Sequence, residues 1–121
     1  MGLILADTNF VIYPIKGIPA IRQYVNNDPG FSEISVIELP AVKNIDDNRP
    51  ETRKPFIDSS YIYPVSEFIR KIFIKLKQRY TIKVPGAMIA ATAIHYDFPL
   101  LTADKGFTRL QELSAIIVSI I

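Results

Sequence analysis

Short apolar runs alternate with amphipathic stretches and polar turns along the chain, an order that predicts strands followed by helices. Leu3-Ile4-Leu5-Ala6 is continuously apolar, the pattern of a strand buried on both faces of a parallel sheet. Asp7, Thr8 and Asn9 follow with capping side chains, which predicts a short helix through about Tyr13 that Pro14 stops. A second helix is expected over Pro19 to Val25, closed by the turn formers Asn26-Asn27-Asp28-Pro29-Gly30. Phe31 to Ile37 is apolar and β-branched, predicting an internal strand that ends at Glu38, with Pro40 in the first turn of a helix beyond it.

Lys43 to Pro55 is strongly polar and reads as a surface loop with a short helix. Tyr61 to Val65 predicts a strand, Ser66 a helix cap and Glu67 its first turn. Phe68, Ile69, Ile72, Phe73, Leu76 and Tyr80 then recur at helical spacing, while Arg70, Lys71, Lys75, Lys77 and Arg79 fall on the other side. After Tyr80-Thr81, Pro85 opens a helix expected from Gly86 to Tyr96, and the small residues of Ala87 to Ala93 predict that it packs tightly among neighbours. Pro99 to Thr102 is another buried strand, and Ala115 to Ile121 a closing one. Strands alternating with helices imply an α/β fold, a three-layer α/β/α arrangement around a central, mostly parallel sheet. At 121 residues the expected organisation is a single domain over 1–121.

Composition narrows the chemistry. With 49% hydrophobic and 21% charged residues the chain can bury a core. It has no cysteine, which removes disulfides, thiolate metal sites and cysteine nucleophiles. No basic leader precedes Asp7, Ala6 breaks the myristoylation pattern, and no apolar stretch reaches the roughly 18 residues of a membrane span. A cytoplasmic protein without membrane contact is therefore expected. The net charge of +2 is unevenly spread: residues 1–60 carry 6 basic and 8 acidic side chains, residues 61–121 carry 8 and 4. Such asymmetry suits either a solvated helix face or a polyanionic partner. His95 is the only histidine and reads as a helix-surface residue. There is no Gly-rich phosphate loop and no serine triad.

Asp7, Glu38 and Asp104 each follow a predicted buried strand. Parallel sheets form their sites beyond the C-terminal strand ends, where these acids are expected to converge. Grouped carboxylates repel one another and need a cation, and hard oxygen ligands select Mg²⁺ or Mn²⁺. Singly, Asp7 and Asp104 could instead cap helices, and Glu38 could be an ordinary first-turn residue. Thr8, Asn9, Ser35 and Thr102 lie near the same strand ends, where their side chains could orient water or phosphate, or cap backbone groups.

Taken in order, Leu5-Ala6-Asp7-Thr8-Asn9, Ile37-Glu38-Leu39, Ile89-Ala90-Ala91-Thr92-Ala93 and Leu101-Thr102-Ala103-Asp104-Lys105-Gly106-Phe107 resemble the PIN-domain family, and within it the VapC-type toxins of toxin-antitoxin pairs. The likeness covers nearly the whole chain. It implies a PIN-like fold and a Mg²⁺- or Mn²⁺-dependent endoribonuclease, homodimeric and restrained by a cognate antitoxin. Under it Asp7 and Asp104 are metal ligands, and Glu38 completes the cluster through a water. Arg49, Arg53, Lys54, Lys71, Lys75 and Lys105 become candidates for RNA phosphate contacts. The chain departs from the family pattern at Pro85-Gly86-Ala87, where an Asp is usual in place of Gly86, and at Gly106, where an acid is frequent. The resemblance thus implies weakened metal binding and RNA cleavage. The alternative is a catalytically inactive PIN-like module that engages an antitoxin or RNA.

Overall fold

The computed structural model describes residues 4–8, 30–38 and 61–118. Five strands form one sheet: β1 (Leu5–Ala6), β2 (Gly30–Ser32), β3 (Tyr61–Tyr63), β4 (Leu100–Thr102) and β5 (Ala115–Ile117). Their spatial order is β3-β2-β1-β4-β5, and every pairing is parallel. The chain steps outward from β1 to β3 on one side, then crosses to β4 on the other side of β1. The strand order therefore reverses between β1 and β4, and in open parallel sheets the crevice beyond that reversal is where ligands bind. The registers Ala6↔Phe31 and Ala6↔Leu101 align the strand ends, so that Asp7 leaves β1 level with Ser32 and Thr102 at the C-terminal edge of the sheet.

Three α-helices are described: α1 (Glu33–Glu38), α2 (Glu67–Arg79) and α3 (Val84–Tyr96). Ser66 starts α2 as expected, its Oγ accepting the Ile69 N–H at 3.2 Å, with Glu67 in the first turn and Lys77 and Arg79 in the last, matching the helix dipole. Pro85 lies in the first turn of α3, which begins at Val84 rather than Gly86. Ala87, Ala90, Ala91 and Ala93 on α3 are fully buried, against a core that includes Leu5, Ile69, Leu76, Leu100 and Leu110. Packing at that density leaves no room for longer side chains. Replacing Ala90 with Leu should therefore cost roughly 1–3 kcal/mol, measured as an earlier midpoint in denaturant.

The strand expected over Phe31–Ile37 is corrected. Only Gly30–Ser32 is strand, and Glu33–Glu38 is helix, so Glu38 ends a helix rather than a strand. Ser32 makes the switch, its Oγ accepting the Ile34 N–H at 3.3 Å, and the acidic Glu33 occupies the helix's first turn. The β-branched residues that suggested a buried strand point largely outward, with Ile37 65% exposed. Phe68, assigned to the buried stripe of α2, is also exposed, and its ring stacks on the exposed His95 at 6.0 Å. The helices expected before Pro14 and over Pro19–Val25, the Lys43–Pro55 segment and the last three residues of the closing strand lie outside the described residues. Among the described residues no helix is long and apolar enough to cross a membrane.

Candidate metal centre

Asp7 leaves β1 with its N–H bonded to the Leu101 carbonyl at 2.9 Å, which fixes its backbone against β4. Its Oδ1 accepts the Thr8 N–H and its Oδ2 accepts the Thr102 hydroxyl, both at 2.7 Å. The Thr102 oxygen in turn accepts the Asp104 N–H at 3.0 Å. One buried hydroxyl, 95 residues along the chain from Asp7, thus ties the first acid to the backbone of the last. Asp104 caps the 3-10 helix Lys105–Arg109, its Oδ1 accepting the Gly106 N–H at 2.8 Å. A side chain at position 106 would begin 3.0 Å from that same oxygen, so glycine there lets the carboxylate settle in place.

Glu38 reaches the site from α1. Ser35 and Glu38 are one helical turn apart, and both contact the Thr8 hydroxyl at 2.9 Å. Because a hydroxyl has one proton and Glu38 can only accept when ionised, Thr8 donates to Glu38 and accepts from Ser35. This chain of buried hydroxyls holds the carboxylate beside β1.

Asp7, Glu38, Asp104 and Gly86 border one pocket of about 780 Å³, with Ile82, Pro85, Ile89 and Phe107 as its apolar wall. Among the described residues no three Asp, Glu or His side chains come close enough to share an ion directly. The arrangement is a pair of acids linked through Thr102, with Glu38 bonded to the Thr8 hydroxyl. Burial pushes the Asp7 carboxyl above its ordinary range and the nearby Asp104 adds to the rise, while the bonds from Thr102 and Thr8 oppose it. The ion pairs among the described residues are Lys71–Glu67 and Arg79–Glu112, so none neutralises these acids. Asp7 is half-buried and Asp104 exposed, and among the described residues neither is ion-paired; such a carboxylate pair fits a hard divalent cation, which commonly takes one or two carboxylates and fills its shell with water and phosphate oxygens.

The raised Asp7 pKa has a signed consequence for the metal-free chain. The folded state favours the protonated form, so this group's contribution to stability falls as pH rises through its folded pKa and the difference vanishes below the unfolded one. Asp7→Asn should therefore melt higher than the unsubstituted chain at pH 7 in chelator, and the gap should close in acid. Calorimetric melting across pH checks both. The amide oxygen still accepts the Thr8 N–H, and its NH2 donates to the Thr102 oxygen in place of accepting the Thr102 hydroxyl.

Gly86 needs neither special backbone nor special space. Its φ is not in the left-handed region, and a Cβ added there would sit 3.5 Å from the Phe107 ring and 3.7 Å from Ile82, which are ordinary contacts. An Asp at this position is admitted at the edge of the pocket.

Thr8, Ser35 and Thr102 are all drawn into the acid network, whereas Asn9 lies outside the described residues. Of the six cations named for RNA, Arg49, Arg53 and Lys54 also lie outside, and Lys71, Lys75 and Lys105 are exposed but do not line the pocket. Among the described residues the cations that do are Lys77, Lys83 and Arg109. Their proximity to Pro85-Gly86 and to Asp104 in the sequence is the signal that could have found Lys83 and Arg109.

A family model described as PIN domain matches residues 4–113. A protein named Ribonuclease VapC, from Rickettsia bellii (strain RML369-C), is 31% identical over 138 residues, covering 98% of this chain and 97% of that protein. Among solved structures, DNA-bound VapBC from Salmonella typhimurium superposes with a TM-score of 0.80 at 21% identity, over 97% of this chain and 98% of that one. A toxin-antitoxin complex from Klebsiella pneumoniae gives 0.76 at 24% identity, over 93% and 95%. At those identities the structures share the fold with this chain.

Proposed function

The chain belongs to the PIN domain family, and from that premise we propose that it is a VapC-type endoribonuclease, dependent on Mg²⁺ or Mn²⁺ and impaired by Gly86. The observation that carries this reading is the Asp7–Thr102–Asp104 linkage at the strand-order reversal, facing a pocket that Glu38 and Gly86 also border. Asp7 and Asp104 would hold the ion. When bound, such a cation neutralises charge on a phosphodiester and acidifies nearby water. Glu38, whose Oε1 accepts the Thr8 hydroxyl, would accept a proton from an attacking water. The hydroxyls of Thr8 and Thr102 orient the carboxylates.

RNA is the proposed substrate, supported by the Rickettsia bellii ribonuclease relative. A cognate antitoxin is the proposed protein partner, supported by the toxin-antitoxin complexes that share this fold, and the active form is proposed to be a cytoplasmic homodimer. One observation favours a second reading, a binding module without catalysis: Gly86 leaves the pocket short of an acid that its backbone and space allow. RNA cleavage by this chain and by Gly86→Asp at saturating Mn²⁺, with a chelator control, separates the two. Chelator-sensitive cleavage by either protein supports the nuclease, and no cleavage by both supports the module.

A further inference from the structure

We infer that Lys77, Lys83 and Arg109 form a phosphate-binding rim that holds the RNA strand across the pocket, an inference that rests on the nuclease reading of the same site. All three are exposed, and all three line the pocket that the acids border. The two ion pairs among the described residues involve other cations, so the rim charges have no carboxylate partner there.

Two rim cations are held by neutral acceptors. Lys77 Nζ donates to the Ile82 carbonyl. Arg109 donates from Nε to the Gly106 carbonyl at 3.0 Å and from an Nη to the Thr81 carbonyl at 2.9 Å. These bonds orient the head groups without cancelling their charge. They use one of three ammonium donors and two of five guanidinium donors, leaving the others for a ligand. The carbonyls of Thr81 and Ile82 belong to the linker between α2 and α3, so the same contacts fasten the rim beside Gly86.

Fastening the linker alone would not call for unpaired charge, and the side chain of Lys83 takes no part in it. Positive side chains at the mouth of an acidic pocket suit a polyanion whose reacting phosphate lies over the carboxylates while its neighbours lie over the rim. Each phosphate so neutralised releases counterions, and affinity falls with salt accordingly.

The test is anisotropy of a fluorescein-labelled single-stranded 2′-O-methyl oligoribonucleotide, which resists cleavage, titrated with the full chain in chelator at several salt concentrations. For single strands each lost contact lowers the slope of log K against log salt by about 0.7. The Lys77→Gln, Lys83→Gln, Arg109→Gln triple variant should therefore lose about 2 from that slope. Lys83→Gln alone, which breaks no linker contact and so does not endanger folding, should lose about 0.7. Arg70→Gln, exposed and outside the pocket lining, should leave the slope unmoved. A slope unchanged in both the triple and the Lys83→Gln variant overturns the inference. So does a loss in Arg70→Gln equal to that in Lys83→Gln, or no binding by the unsubstituted chain. Cleavage of ordinary RNA by Gly86→Asp in Mn²⁺ is read separately, so failure of the rim and failure of the nuclease are told apart.

Discussion

Gly86→Asp should raise Mn²⁺-dependent RNA cleavage over the unsubstituted chain by at least about 10- to 100-fold, the range typical for restoring even an indirect metal partner. The structural ground is local. The added side chain starts in ordinary contact with Phe107 and Ile82, on a backbone that suits any L-residue, and it borders the pocket shared by Asp7, Glu38 and Asp104. The carboxylate also enters the first turn of a helix that has no side-chain cap, where the dipole favours negative charge. The substitution should thus cost little stability. Single-turnover cleavage of a labelled RNA at saturating Mn²⁺ measures the gain, and equal rates in the two proteins would count against a ligand role for this position.

In that Gly86→Asp background, Asp104→Asn should remove the regained activity, again by at least about 10- to 100-fold, while leaving the fold in place. The amide oxygen can still accept from the Gly106 N–H and so still cap the 3-10 helix. The backbone N–H of residue 104 can still reach Thr102, because that bond does not use the side chain. What disappears is the charge beside Asp7. A merely structural Asp104 would leave cleavage unchanged under the same substitution, so the rate decides between capping and ligation. The unaltered melting temperature expected of Asp104→Asn is the accompanying control.

Much of the fold was legible because buried strands of a parallel sheet are continuous apolar runs. Leu5–Ala6 and Leu100–Thr102 stand out in this way, and the punctuation by Ser66 and Pro85 located two helices. The error at Glu33–Glu38 has a physical cause. Ile34, Val36 and Ile37 have strand-like shapes, but one hydroxyl at Ser32 turns the backbone into a helix and leaves Ile37 in solvent. Local propensity lost to a cap. In the site, the strand-end acids Asp7 and Asp104 could be placed from the pattern, whereas the hydroxyl joining them could not. Thr102 meets Asp7 only because the register pairs Ala6 with Leu101. The rim was hidden for a similar reason, since Lys77 lies on the polar side of its helix and turns toward the pocket only through the folded linker at Ile82.

The central claim is that Asp7 and Asp104 form a divalent-cation site lacking one acid at position 86, and calorimetric titration of Mn²⁺ into this chain and its Gly86→Asp variant tests it most directly. The expected result is weak binding by the unsubstituted chain and binding at one ion per chain, at least about tenfold tighter, in the variant. Identical weak binding in both, or no binding in either, contradicts it.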